Sequence, residues 1–144
     1  MKTEIFSSNS PEETLKIAYD MAVDSKPGDI ICLSGDLGVG KTSFTKGFAR
    51  GLGIEEPVVS PTFTIVQVYE SGRMPLYHFD VYRIDDIDEM DEIGYEDCFF
   101  GQGVSLVEWA DKIEELLPAT CTRVTIKKDL QKGFDYRSIE VRKA

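Results

Sequence analysis

One glycine-rich segment constrains this chain more than any other part of its sequence. Residues 35–42 read Gly-Asp-Leu-Gly-Val-Gly-Lys-Thr, which fits the spacing G-x-x-x-x-G-K-[ST]. The glycines allow the backbone to turn tightly and to aim successive N–H groups into a concavity that suits phosphate oxygens. Lys41 can reach the β- and γ-phosphates of a nucleotide, and the hydroxyl of Thr42 can bind Mg²⁺. The residues predicted to bind nucleotide in this loop are Leu37, Gly38, Val39, Gly40, Lys41, Thr42 and Ser43.

The flanking sequence supplies the strand and the helix that such a loop connects. Residues 29–34 form an apolar run of strand length before the loop. After it, Phe44 and Phe48 lie four residues apart, on one face of a predicted helix that Gly51 and Gly53 can end. The loop therefore has the strand–loop–helix context of an α/β phosphate-binding unit.

A second helix is predicted closer to the N-terminus. Ser10 is its predicted N-cap, Pro11 takes the first helical position and Glu13 completes a capping box. The helix ends near Ser25, and its apolar positions recur with helical spacing at Leu15, Ala18, Tyr19 and Ala22.

The remaining chain adds strands to the same sheet. Residues 65–70 and 76–80 flank a turn cluster and predict an antiparallel hairpin. Later patterns predict strands at 104–108, 122–128 and 136–142, and helices within 86–100 and at 111–117. Together they predict one α/β domain over 1–144, a P-loop NTPase-type three-layer fold. Its mixed sheet is flanked by helices, with antiparallel strands at 63–80 and at the C-terminus.

The composition and charge of the chain indicate its cellular compartment and the kinds of partner that it can bind. No apolar run reaches membrane-span length and no signal-peptide core is visible, which predicts a cytoplasmic protein. The three cysteines are widely spaced and are expected to be reduced packing residues, and a single histidine argues against a histidine-based zinc site. A net charge of -10 argues against a broad nucleic-acid-binding surface. The acidic cluster at 85–97 is either a solvated helix face or a docking surface for a basic partner.

Two carboxylates are candidates for the chemistry that a phosphate-binding loop requires. Asp80 ends the predicted strand 76–80, and Glu108 ends the predicted strand 104–108. Acids in such positions often face the nucleotide across the sheet edge, where they serve magnesium and the attacking water. The alternative for each is an exposed carboxylate at a strand end.

A short hydroxyl-rich loop is a further candidate element. Ser60, Thr62 and Thr64 belong to Ser-Pro-Thr-Phe-Thr, which either senses the γ-phosphate as a switch loop or simply enters the next strand. A guanine-reading Asn-Lys-x-Asp motif is missing, since Ile126 precedes Lys127-Lys128-Asp129. Adenine is favoured by elimination.

Four motifs together resemble one family. The loop at 35–42, Ser-Pro-Thr-Phe-Thr at 60–64, His-Phe-Asp-Val-Tyr-Arg at 78–83 and Glu-Trp at 108–109 occur in this order. At this chain length, the set resembles the TsaE family (also called YjeE) of bacterial P-loop ATPases, over about residues 10–118. The combination is much more specific than any one of the motifs.

The resemblance implies a role and partners. TsaE-like proteins take part in making threonylcarbamoyladenosine next to the anticodon of tRNA, and they act with a TsaD–TsaB complex. The implied cofactors are ATP or ADP and Mg²⁺, and tRNA is expected to be a substrate of the assembly rather than a strong direct ligand.

The resemblance also implies roles for individual residues. Lys41, Asp80 and Glu108 are the implied catalytic residues, and Thr42 and Glu108 the implied magnesium ligands. The remaining implied positions are a switch-like loop at Ser60, Thr62 and Thr64, a reporter of nucleotide or partner binding at Trp109, and residues flanking the base at Ser10 and Lys132.

The function expected from these residues is MgATP hydrolysis that is weak in the isolated protein and stronger with the partner. No free arginine finger is evident, although Arg83 is a candidate within the chain. One alternative is a small-molecule kinase, which usually has a lid with several arginines, whereas the arginines here are scattered. The other alternative is a scaffold that binds nucleotide without hydrolysing it.

Overall fold

A seven-stranded mixed sheet forms the centre of the described structure, with strand order β1-β7-β6-β2-β5-β4-β3. The computed structural model describes residues 2–35, 39–59, 61 and 65–143. Its elements, with η1 a 3₁₀ helix, are β1 (Lys2–Ser8), α1 (Pro11–Val23), β2 (Ile30–Gly35), α2 (Lys41–Gly51), β3 (Val66–Tyr69), β4 (Leu76–Asp80), α3 (Asp88–Glu92), α4 (Tyr95–Phe99), β5 (Val104–Glu108), η1 (Ala110–Leu116), β6 (Thr122–Lys128) and β7 (Arg137–Lys143).

The sheet is parallel in its middle and antiparallel at both edges. β2 runs parallel to β5 and to β6, and β4 runs parallel to β5. β3 pairs antiparallel with β4, and β7 pairs antiparallel with both β6 and β1. This arrangement confirms the predicted α/β class, the mixed sheet, the hairpin and the antiparallel C-terminal strands.

The alternation of side chains along β2 places helices on both faces of the sheet. Ile31 and Leu33 belong to a core with α1 and α2, whereas Ile30 and Cys32 belong to a second core with α3, α4 and η1. A strand buried on both faces reads as a continuous apolar run, which is why 29–34 could be recognised from sequence. Burial, followed by the neighbouring Cys121 thiol, raises the pKa of Cys32 to about 12, so this thiol stays protonated.

Helix α1 is held at both ends by side-chain hydrogen bonds. Ser10 is its N-cap and accepts from the Glu13 amide at 3.1 Å. The Glu13 carboxylate accepts from the Asn9 amide at 3.0 Å, one residue before the partner of a standard capping box. At the other end, the Arg73 guanidinium donates to the carbonyls of Ala22, Val23 and Ser25. These contacts satisfy groups that a helix leaves unpaired at its ends.

The structure differs from the sequence-based expectation in three local features. Strand β1 was not among the predicted strands; it pairs with β7 along its whole length. The helical segment 86–100 is two short helices, because Gly94 between them has a left-handed φ of 72°. The predicted helix at 111–117 is the 3₁₀ helix η1, which buries Ile113 but leaves Leu116 and Leu117 half-buried.

Three observations bear on the predicted acidic cluster, on the predicted apolar face of α1 and on membrane spans. The acidic residues of 85–97 are mostly exposed, and the Glu89 carboxylate accepts from the Asp85 and Asp86 amides at 3.0 Å. Tyr19 is 39% exposed, so it is not part of the buried face of α1. Among the described residues, no helix is both long enough and apolar enough to cross a membrane.

Close packing of α1 against α2 generates a stability prediction at Gly47. A Cβ atom at this position would lie 2.1 Å from the Leu15 carbonyl oxygen, a backbone atom that cannot rotate away. Gly47→Ala should therefore destabilise the protein by about 2–3 kcal/mol through overpacking. This loss outweighs the gain of about 1 kcal/mol in helix propensity.

Urea denaturation of the variant measures this effect. Lys46→Ala, at the exposed neighbouring position, should stay within about 0.5 kcal/mol of wild type. A Gly47→Ala variant that is as stable as wild type would contradict the close approach of the two helices.

Candidate active site

The connection between β2 and α2 begins and ends at positions that require glycine. At Gly35, a Cβ would lie 2.7 Å from Val39 Cγ1 and 2.8 Å from the Ile126 carbonyl oxygen. At Gly40, the N-cap of α2, the backbone has a left-handed φ of 112°. A side chain is therefore excluded at Gly35 by contact and disfavoured at Gly40 by backbone conformation.

The C-terminal hairpin contacts the end of this connection at Val39. Val39 is buried, and its carbonyl accepts a hydrogen bond of 2.8 Å from Arg137 Nε. The same guanidinium donates to the carbonyls of Phe134 at 3.0 Å and Tyr136 at 2.8 Å. Arg137 thus joins the turn between β6 and β7 to the glycine-rich loop, a contact that no local sequence pattern signals.

The two predicted carboxylates are direct neighbours across the parallel strands β4 and β5. Asp80 is the register partner of Glu108, and each is the last residue of its strand. The carboxyl ends of parallel strands meet at one sheet edge, which is where ligands bind in open α/β sheets. Asp80 Oδ1 accepts from the Tyr82 amide at 3.1 Å, so one oxygen of this carboxylate is held by its own turn.

Lys41 and His78 contact Glu108 from two sides. Lys41 Nζ lies 3.9 Å from Glu108 Oε1, and His78 Nε2 lies 2.8 Å from Glu108 Oε2. The side chains of Lys41, His78 and Glu108 are 12%, 3% and 14% exposed, so the charges of the lysine and the glutamate lie in a largely desolvated place. Opposite charges interact more strongly there than at the open surface.

An aromatic pair borders the same group. Lys41 Nζ lies 4.8 Å from the centroid of the Trp109 ring, and the Tyr82 ring lies 4.8 Å from Trp109. Trp109 has a left-handed φ of 63°, which is uncommon for a large side chain and concentrates at functional sites. The conformation turns the chain sharply after Glu108, and the indole covers the lysine.

These side chains line one cavity of about 380 Å³. A lysine, two carboxylates and a threonine hydroxyl converge on it, and its described lining comprises Gly40, Lys41, Thr42, Thr45, Val58, Val59, His78, Asp80, Glu108 and Trp109. Oxygen donors beside a lysine suit a magnesium ion that is shared with phosphate. In the ranges that the structure describes, no group of three or more His, Cys, Asp or Glu side chains could hold a metal ion alone.

The cavity brings together some of the predicted residues and not others. Gly40, Lys41, Thr42, Asp80, Glu108 and Trp109 line it, and Val39 lies directly before Gly40. The predictions for Leu37, Gly38, Ser60, Thr62 and Thr64 concern positions outside the described residues.

Four other predicted residues are not among its described lining. Ser10 caps α1, and Ser43 lies in the first turn of α2. Lys132 Nζ lies 5.1 Å from the Tyr136 ring, and Arg83 is exposed. Their proposed contacts with base or phosphate remain predictions.

His78 is the site residue whose contact the sequence reasoning missed. It belongs to the motif at 78–83 but had no predicted role of its own, whereas the structure pairs it with Glu108. The sequence does carry a signal that places His78 at the site. His78 and Asp80 are two residues apart on one strand, so their side chains project to the same face of the sheet.

The fold and the cavity define a class: an α/β protein with a glycine-rich loop and two strand-end carboxylates around one lysine. The sequence profile described as threonylcarbamoyl adenosine biosynthesis protein TsaE matches residues 8–139, and the chain belongs to the TsaE family. The resemblance inferred from the four motifs is thereby confirmed.

Individual relatives agree with this assignment. The tRNA threonylcarbamoyladenosine biosynthesis protein TsaE of Bacillus subtilis (strain 168) is 52% identical over 139 residues, covering 96% of this chain and 85% of that protein. The protein of the same name from Treponema pallidum (strain Nichols) is 38% identical over 120 residues, covering 83% and 88%. The crystal structure of Bacillus subtilis YdiB matches with a TM-score of 0.83 at 47% identity, covering 97% of this chain and 84% of that one.

The contact between Lys41 and Trp109 generates a spectroscopic prediction. Trp109 is the sole tryptophan of the sequence, so all tryptophan fluorescence reports on this position. Lys41→Met removes the cation 4.8 Å from the ring and should change the wavelength and intensity of emission in nucleotide-free protein. Lys46→Met, at an exposed position of the same helix, is the matched control and should leave the spectrum unchanged. Superimposable spectra for Lys41→Met and wild type would show that the lysine does not lie over the indole.

Proposed function

We propose that this chain is a magnesium-dependent ATPase that serves threonylcarbamoyladenosine modification of tRNA, the process for which its relatives are named. One observation carries the proposal: Lys41, Asp80 and Glu108 converge in a single cavity at the end of the glycine-rich loop. Phosphoryl transfer depends mainly on positioning and charge stabilisation, and these residues offer both.

The lysine and the loop are proposed to hold the phosphates. Lys41 is the first residue of α2, so its side chain lies beside the N-terminus of that helix. Backbone N–H groups at a helix N-terminus favour anions, and the ammonium of Lys41 adds a full charge to the same place. In the described structure this charge faces Glu108, and the phosphates would compete for it.

Thr42 and Glu108 are proposed to hold the magnesium ion. A hydroxyl and a carboxylate are oxygen donors of the kind that Mg²⁺ prefers, and proteins usually bind this ion through one or two carboxylates together with substrate phosphates. When bound, Mg²⁺ would neutralise charge on the phosphate oxygens. Glu108 is suited to this role because it ends β5 at the cavity, where Lys41 Nζ lies 3.9 Å from its Oε1.

Asp80 is proposed to orient the attacking water. It neighbours Glu108 in register, and the hydrogen bond from the Tyr82 amide holds its carboxylate at the cavity. A carboxylate in this position can accept a proton or a hydrogen bond from water as the γ-phosphate is transferred.

Dependence on a TsaD–TsaB-type partner follows from what the cavity lacks. Its described lining contains no arginine to stabilise transition-state charge. Arg73, Arg123 and Arg137 bind groups of the protein itself. We therefore propose weak hydrolysis by the isolated chain and faster hydrolysis in the assembly. The net charge of -10 makes tRNA a substrate of that assembly rather than a strong ligand of this chain.

Within the described part of the chain, no contact favours either of the two alternative functions. A kinase lid would need arginines free to close over phosphate, and the three arginines named above are engaged elsewhere. A scaffold that only binds nucleotide has no use for two adjacent carboxylates beside the lysine.

Substitution of the three central residues tests the function. Lys41→Ala, Asp80→Ala and Glu108→Ala should each lower partner-stimulated hydrolysis by about 10²-fold or more, because each removes a preorganised group. They should also reduce tRNA modification in a reconstituted reaction. Lys46→Ala is the control, since this lysine lies in the same helix outside the cavity lining.

Product analysis with labelled ATP separates the alternatives. The proposal predicts free phosphate, whereas a phosphorylated metabolite would identify a kinase. Full tRNA modification by both Asp80→Ala and Glu108→Ala would identify a non-hydrolysing scaffold. Full-rate hydrolysis by isolated protein, with no stimulation by the partner, would contradict the dependence on assembly.

A further inference from the structure

His78 occupies a place in the site that the proposed chemistry has not yet used. Its side chain is 3% exposed, and it projects from β4 to the same sheet face as Asp80. Its Nε2 lies 2.8 Å from Glu108 Oε2. An ionised carboxylate can only accept hydrogen bonds, so the ring nitrogen that faces it must carry the proton.

The other ring nitrogen has no such contact. His78 Nδ1 is buried and has no hydrogen-bond partner among the described residues. Among the described residues, the hydrogen bond from Nε2–H to Glu108 is therefore the polar contact that holds the ring.

The two carboxylate oxygens of Glu108 have different partners. Oε2 accepts from His78, while Oε1 is the atom that lies 3.9 Å from Lys41. A carboxylate held at one oxygen cannot rotate freely about its terminal bond, so the other oxygen keeps a constant direction. A histidine that served only to fill the core would gain nothing from an unpaired buried nitrogen.

We propose that His78 is a positioning residue for the ATPase reaction: its Nε2–H holds Glu108 Oε2, so that Oε1 stays directed at the phosphate and magnesium site. The inference rests on the proposed function, because Glu108 acts there. His78 touches neither nucleotide nor metal in this scheme and acts through Glu108.

Nitrogen NMR of the nucleotide-free protein tests the contact without any activity measurement. The sequence contains a single histidine, so untagged protein labelled with ¹⁵N gives ring signals from His78 alone. The expected spectrum shows a ring proton on Nε2. In Glu108→Ala the acceptor is gone, and the ring signals should shift. A ring proton on Nδ1 with none on Nε2, or ring signals that are the same in Glu108→Ala as in wild type, would overturn the proposal.

Two substitutions separate positioning from packing. His78→Gln keeps an N–H donor near the position of Nε2, whereas His78→Leu fills the space without a donor. His78→Leu should lower kcat of the assembled ATPase by about 10- to 100-fold, the usual effect of removing a partner that orients a metal ligand. Its KM for ATP should stay close to wild type, because the loop and Lys41 remain. His78→Gln should recover most of kcat.

Thermal unfolding of the same variants guards against a purely structural explanation. If His78→Leu does not fold, the wild-type NMR spectrum and the kcat of His78→Gln still test the positioning role of His78. Wild-type kcat in folded His78→Leu, or a kcat in His78→Gln as low as in His78→Leu, would overturn the proposal.

Failure of this inference can be told apart from failure of the proposed function. A wild-type protein that hydrolyses no ATP, even with its partner, contradicts the function and with it the positioning role of His78. A ring protonated at Nδ1 and not at Nε2, in a protein that hydrolyses ATP, overturns the role of His78 alone.

Discussion

The parallel pairing of β4 with β5 is the constraint on which the site depends. It makes Asp80 and Glu108 register partners at the ends of two neighbouring strands. The parallel pairing of β2 with β5 brings the glycine-rich loop to the same edge, because β2 ends at Gly35 where that loop begins. A shift of either register by one residue would turn a carboxylate to the opposite face of the sheet.

Burial strengthens the electrostatic interactions at this edge of the sheet, and it also costs folding free energy. Lys41, Glu108 and His78 form a chain of contacts in which the outer members are held by the central carboxylate. Removing one member of such a buried set leaves the others without their partner, so the set is coupled. The left-handed backbone at Trp109 and the unpaired His78 Nδ1 are local costs of the kind that folds tolerate at functional sites.

Local patterns in the sequence were sufficient for the loop and the two acids, but not for their surroundings. The spacing up to Lys41 and the acids at strand ends are readable from neighbouring residues, and the apolar run of β2 predicts a strand that is buried on both faces. Strand β1 has a largely polar sequence and is held by backbone pairing with β7, so its composition gives little warning. The contact of Arg137 with Val39 joins residues 98 positions apart, which no local spacing can predict.

The proposed function requires MgATP to bind in the described cavity, with the glycine-rich loop, the lysine and both carboxylates around one phosphate group. The most direct measurement is a crystal structure of the protein with Mg²⁺ and a non-hydrolysable ATP analogue. The predicted result is a γ-phosphate bound to Lys41, with magnesium beside Thr42 and Glu108 and a water held by Asp80. A nucleotide bound elsewhere, or one bound with its magnesium remote from both carboxylates, would contradict the proposed function.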